Sequence, residues 1–179
     1  MKDGIRKIFL EKRKKMLESE YNEYSLIIRE NIKNFLKDLD YNNIAMYYPF
    51  RKEVDLLPLI YEFKDKNLFF PKVIDKDMKF IKISSINDFK KGKFGIMEPA
   101  GNYYTDEIDV FLIPGVTFDN NLFRLGYGGG YYDRYFSKHK RGLLIGIAFD
   151  FQIIKELPAF EHDIKMDAII TEKRILKGD

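Results

Sequence analysis

Apolar positions change their period along this chain. Over the first forty residues they recur at helical intervals, first as Ile5, Ile8, Phe9 and Met16 with Lys and Arg between them. They continue as Tyr24, Ile27, Ile28, Ile32, Phe35, Leu36 and Leu39. These stripes predict two amphipathic helices, the second capped by Ser19. Asn43–Tyr48 is short, apolar and stopped by Pro49, the pattern of a buried strand. Asp55 is placed to cap a helix running to about Phe63, with Pro58 tolerated in its first turn. Leu68–Val73 and Met78–Ile83 read as strands around an Asp75-Lys76-Asp77 turn. Asp109–Ile113 reads as a strand ended by Pro114-Gly115, Tyr131–Phe136 as the start of a helix, and Leu143–Phe149 and Ala168–Thr171 as buried strands. Strands alternating with helices predict an α/β fold: a single-domain, three-layer αβα sandwich with a largely parallel central sheet, spanning residues 1–179.

Composition narrows the function without choosing one. The 179 residues contain no cysteine, which excludes disulfide scaffolds, thiolate metal sites and cysteine nucleophiles. Two histidines, His139 and His162, are too few for a histidine-rich metal site. Lys plus Arg number 31 against 28 Asp plus Glu, a net charge of +3 that points to neither nucleic acid nor an anionic membrane. No apolar run approaches the ~18 residues of a membrane span. The first fifteen residues are charged throughout and lack the apolar block of a secretory signal, so a cytoplasmic location is the expectation. A monomer is expected.

The most informative segment is Arg124-Leu125-Gly126-Tyr127-Gly128-Gly129-Gly130-Tyr131-Tyr132-Asp133. Four glycines in five positions are unfavourable in any regular element, yet they let backbone amides approach an anion closely. A helix beginning just after them would turn its own free amides toward the same anion. The segment is not a Walker loop, because Tyr131-Tyr132 follows where Lys and Ser or Thr would stand. It also fails the dinucleotide pattern at Tyr131. A surface turn is the plain alternative. Against it stand Arg124, whose fork suits phosphate, Asp133, placed to hold a phosphate-bound magnesium ion, and the flat faces of Tyr127, Tyr131 and Tyr132.

From Asp109 to Phe136 the chain closely resembles the signature of the 5-formyltetrahydrofolate cyclo-ligase family, also called methenyltetrahydrofolate synthetases. The resemblance continues through Gly95-Ile96-Met97-Glu98-Pro99 and the tail from Leu157-Pro158 through His162-Asp163 to Glu172. Leu122 departs from it, standing where the family often has glycine. The resemblance implies ATP- and magnesium-dependent cyclisation of 5-formyltetrahydrofolate, with no nucleic-acid or membrane partner. A kinase or a nucleotide-binding module acting on another small metabolite is the alternative.

The same resemblance implies roles for single residues. Lys2 and Arg6, four apart on one helical face, would otherwise read as a solvated basic face. They align with a family Lys and Arg that contact the ATP phosphates, which makes Lys2 and Arg124 the candidate catalytic cations. Arg124 through Tyr132 form the rest of the expected ATP site. Lys7, Lys12, Arg13, Lys14 and Lys15 are expected in solvent. Glu53 lies beyond a strand's C-terminal end, where an α/β domain binds ligands, although a helix N-terminal charge is equally ordinary there. By resemblance Glu53 binds the pterin, and a carboxylate can accept two hydrogen bonds from a 2-aminopyrimidinone edge. Met97, in a short loop ending at Pro99, and Tyr132 complete the expected folate contacts. Phe70-Pro71-Lys72 and Phe118 are further candidates for walls, although large aromatics more often belong to a core. Asp167 is expected to share the magnesium with Asp133, and His162-Asp163 to be structural.

Overall fold

The computed structural model describes residues 1–139, 141–158 and 163–178. In chain order its helices are α1 (Lys2–Lys14), α2 (Glu18–Leu36), α3 (Leu59–Glu62) and α4 (Tyr131–Lys138). Its strands are β1 (Asn43–Ala45), β2 (Asn67–Ile74), β3 (Asp77–Ile83), β4 (Phe89–Lys91), β5 (Met97–Pro99), β6 (Val110–Ile113), β7 (Thr117–Asp119), β8 (Arg124–Leu125), β9 (Leu143–Ile147), β10 (Ile153–Ile154), β11 (Ala168–Ile170) and β12 (Ile175–Lys177).

The main sheet has the order β12-β11-β9-β6-β1-β2-β3. Its interior pairings are parallel, and the edge strands β3 and β12 run antiparallel to their neighbours. The largely parallel sheet expected from the pattern is therefore present. Strand side chains alternate between two cores, because successive residues point to opposite faces. Ile44, Val110, Leu112, Ile145 and Ile147 join one core with Ile28, Ile32 and Leu36 of α2. Ala45, Phe111, Ile113 and Leu144 join the other with Tyr135 of α4. Both faces being covered makes the three layers. Burying each of the three α2 side chains contributes about 1.5–3 kcal/mol.

Several boundaries differ from those the sequence predicts. The N-cap of α2 is Leu17, not Ser19, and the Glu20 carboxylate accepts the Leu17 amide at 3.2 Å. Asp55 accepts the Leu57 amide at 3.0 Å, but α3 is only one turn and starts after Pro58. Met97–Pro99 is not a loop: it is β5, paired antiparallel with β4. The short strands β7, β8 and β10 form a second small sheet. Phe70 and Phe118 are core residues, not walls of a site. Among the described residues no helix is long and apolar enough to cross a membrane.

Topology places the functional cleft. From β1 the chain moves to β2 on one side, whereas from β6 it moves to β9 on the other. The switch point lies between β1 and β6, and ligands of open α/β sheets bind outside the carboxyl ends of strands at such a point. Tyr47 and Tyr48 follow β1 there, and Pro114 follows β6.

Candidate active site

A cleft of about 580 Å³ opens at this switch point. One end is the glycine loop. Gly130 is the N-cap of α4 with φ +70°, a left-handed conformation that glycine adopts without steric penalty. Gly128 has φ +104°. Gly126 serves a different purpose: a Cβ there would lie 2.9 Å from both terminal nitrogens of Arg124, so only glycine leaves that guanidinium its place. Arg124 donates Nε to the Pro114 carbonyl and stacks over Tyr132, with its guanidinium carbon 4.7 Å from the ring centroid. Burial lowers its pKa, against the pull of Tyr132, Asp133 and Glu53.

Helix α1 brings further cations to the same end. Arg6 donates Nε to the Gly126 carbonyl at 2.8 Å and pairs with Asp3. Lys2 faces Asp163 at 3.4 Å across the cleft. The predicted phosphate residues Lys2, Arg6, Arg124 and the glycine loop through Tyr132 thus share one cavity, and Asp133 lines it too.

Arg13 is the main surprise. Expected in solvent, it is 1% exposed. It donates Nε to Arg51 O at 2.9 Å, Nη1 to Gly115 O at 3.0 Å, and Nη2 to the Tyr127 hydroxyl. Arg13 lies seven residues after Arg6, two helical turns, so it shares the inward face with Lys2 and Arg6. That phase was readable in the sequence. Lys7, Lys12, Lys14 and Lys15 are exposed as expected.

The cleft is also lined by Glu53, which is 5% exposed. Its loop is held in an uncommon conformation, with Arg51 at φ +50° and Lys52 at φ +60°. Lys52 Nζ ties the loop to the end of α1 by donating to Met16 O at 2.6 Å, and Tyr21 donates its hydroxyl to Glu53 O at 2.7 Å. Oε1 accepts the Phe50 amide at 2.9 Å, and Oε2 faces the Tyr127 hydroxyl at 3.4 Å. Burial raises the Glu53 pKa to about 7, against the lowering influence of Arg13, the Phe50 amide and Arg124. Burial likewise pushes the Tyr127 phenol up to about 12, and it raises Tyr132 further.

Met97 and Tyr132 line the cleft, as expected for substrate contacts, and so does Pro71. Phe94, not singled out from the sequence, edges its mouth with φ +61° and 77% exposure. Asp167 must be withdrawn from the site. It precedes β11 at the amino ends of the parallel strands, where it pairs with Arg141 and accepts the Leu144 amide at 2.8 Å. Among the described residues the carboxylates lining the cleft, besides Glu53 and Asp133, are Glu98 on β5 and Asp163 beside Lys2. His162 lies outside the described residues.

Leu122, the departure in the signature, has φ +73° and is 6% exposed. The turn it occupies is fixed by buried Asp119, which accepts the Asn121 and Phe123 amides at 3.0 and 2.9 Å. The position calls for a left-handed residue, which explains why glycine suits it, while the leucine side chain joins the α4-side core.

Comparisons with known proteins bear on family and fold. The 5-formyltetrahydrofolate cyclo-ligase family model matches residues 1–172. A probable 5-formyltetrahydrofolate cyclo-ligase of Schizosaccharomyces pombe is 35% identical over 161 residues, covering 76% of this chain and 78% of that protein. The 5-formyltetrahydrofolate cyclo-ligase of Mycoplasma genitalium is 33% identical over 175 residues, covering 94% and 96%. The NMR structure of Aquifex aeolicus 5,10-methenyltetrahydrofolate synthetase superposes with a TM-score of 0.89 at 36% identity, over 98% of this chain and 92% of that one. The Mycoplasma pneumoniae 5,10-methenyltetrahydrofolate synthetase gives 0.80 at 31% identity, over 96% and 98%. By sequence match along nearly its whole length and by fold, this chain belongs to the 5-formyltetrahydrofolate cyclo-ligase family.

Proposed function

We propose that the chain closes 5-formyltetrahydrofolate to 5,10-methenyltetrahydrofolate, converting ATP to ADP and phosphate. The observation that carries this is the make-up of one cleft. Cations and glycine amides line it together with a buried carboxylate and aromatic rings. A triphosphate held by the cations and amides and a flat pterin held by the carboxylate would meet there.

The chemistry follows from that placement. The formyl oxygen attacks the terminal phosphorus of ATP. A P–O bond forms to the formyl oxygen, the bond to the bridging oxygen breaks, and ADP leaves. The side-chain nitrogen of the folate then attacks the activated formyl carbon and loses its proton. The C–O bond breaks, and the formyl oxygen departs within inorganic phosphate. Such a reaction needs positioning and charge neutralisation more than a protein nucleophile. Lys2, Arg6 and Arg124 supply the positive charge, with Arg124 fixed by Pro114 and by its stacking on Tyr132. The Glu53 carboxylate orients the pterin edge, Met97 and Tyr132 flank the ring, and Phe94 offers an exposed face at the mouth.

A magnesium ion takes one or two protein carboxylates and completes its shell with phosphate oxygens and water. Asp133, which lines the cleft beside Arg124, would supply one such carboxylate. Among the described residues no three His, Asp or Glu stand together, so an ion here would depend on the nucleotide for most of its ligands. When bound it would neutralise charge on the transferring phosphoryl group.

Substrate labelled with oxygen-18 in the formyl group tests this route. Label recovered in inorganic phosphate is expected. Label recovered in water would exclude phosphorylation of the formyl oxygen.

A further inference from the structure

Three loops meet over one buried guanidinium. Arg13 binds the Glu53 loop through Arg51 O, the turn after β6 through Gly115 O, and the glycine loop through the Tyr127 hydroxyl. Gly115 is also held by Gln152, whose Nε2 donates to Gly115 O at 2.9 Å. Arg13 is beneath the cleft floor and does not line it.

We propose that Arg13 is a positioning residue that keeps Glu53 ionised and aimed into the cleft, so that the protein's grip on folate depends on an arginine that never touches it. The inference rests on the reading that Glu53 binds the pterin. Its physical basis is the fork itself. Nε and Nη1 are committed to two carbonyls, which fixes the guanidinium plane, and Nη2 reaches the phenol that in turn faces Oε2 of Glu53. A lysine carries the same charge but is not a planar fork and cannot serve all three acceptors in this geometry.

The charge has a directional effect. Burial favours the protonated form of Glu53, and Arg13 is the largest opposing influence. The other groups facing Glu53 are Tyr21 from α2, Tyr47 after β1, Arg124 from β8, Tyr127 in the glycine loop and Tyr132 in α4, and Arg51 of its own loop faces Tyr127. The four tyrosines are all displaced upward, Tyr127 to about 12, so none of them titrates between about pH 6 and 9.5. A pH dependence of folate binding in that window that Glu53→Gln abolishes reports Glu53.

The test is the dissociation constant for 5-formyltetrahydrofolate, without ATP, from about pH 6 to 9.5, in wild type, Glu53→Gln, Arg13→Met and Arg13→Lys. Wild-type affinity is expected to weaken as pH falls through about 7, and Glu53→Gln to be weak and flat. Arg13→Met is expected to move the midpoint up by about one pH unit and to stay several-fold weaker than wild type at about pH 9.5, where Glu53 is ionised in both and the loss of the fork alone is read. Arg13→Lys is expected to keep the midpoint within a few tenths of a unit. An Arg13→Met midpoint coincident with wild type, while Glu53→Gln is flat, overturns the inference. Should Arg13→Met not fold, Arg13→Lys is introduced both into wild type and into Glu53→Gln, and the two losses are compared. A several-fold loss at about pH 9.5 confined to the protein that retains Glu53 supports the coupling, and an equal loss in both overturns it. Glu53→Gln binding like wild type with the same pH profile would instead sink the pterin assignment of Glu53.

Discussion

Replacing Glu53 by Gln removes a charge that the fold holds out of water. Its pKa is raised from 4.5 to about 7 by burial, even with Arg13 and Arg124 nearby. At roughly 1.4 kcal/mol per pH unit, holding the carboxylate ionised in the folded chain costs about 3 kcal/mol. The sign follows from linkage: a pKa raised on folding means that stability is fully present below the unfolded value and is lost as pH rises through the folded one. Glutamine resembles the protonated acid in shape and charge, and its carbonyl can still accept the Phe50 amide. Arg13 keeps its acceptors Arg51 O, Gly115 O and the Tyr127 hydroxyl, so the substitution does not strand it. Urea denaturation of the ligand-free proteins is therefore expected to show Glu53→Gln more stable than wild type by about 3 kcal/mol at about pH 8, narrowing to under about 1 kcal/mol at about pH 5. A variant no more stable than wild type at the higher pH would refute the claim that the site carries a stored electrostatic cost.

Other predictions address the remaining parts of the site. Lys2→Ala and Arg124→Ala are each expected to cut turnover by ~10²–10³-fold, the range for losing one donor to transition-state charge, as read in steady-state kinetics. Wild-type-like kcat/KM in both would remove the phosphate assignment. Leu122→Gly relieves a left-handed backbone worth about 1 kcal/mol but empties a buried site worth about 2–5 kcal/mol. A net destabilisation of about 1–4 kcal/mol is expected in urea titrations, and a stabilised variant would contradict the packing role of that side chain.

How much of this was legible in the chain depended on whether a signal was local. The run Val110–Ile113, the turn at Pro114-Gly115 and the glycine loop are punctuated by residue type, and they fold where the sequence places them. Glu53 was legible because it follows a strand and a topological rule puts ligands there. Arg13 was hidden among exposed lysines, and only its phase relative to Lys2 and Arg6 separates it from them. Asp167 misled because a carboxylate beside a buried strand looks alike at either end. It precedes β11, and the parallel direction of that strand sends it away from the cleft. Asp163 enters the cleft by a tertiary contact with Lys2, 161 positions away, which no local pattern encodes. The hairpin of β4 and β5 was missed because its three-residue strands are too short to show alternation.

The central claim is that one cleft makes the closure of 5-formyltetrahydrofolate depend on ATP. Purified protein mixed with 5-formyltetrahydrofolate and Mg-ATP is predicted to generate the near-ultraviolet absorbance of 5,10-methenyltetrahydrofolate, with one ADP released per product and none formed when ATP is omitted. No absorbance with both substrates present, or equal product without ATP, would contradict it.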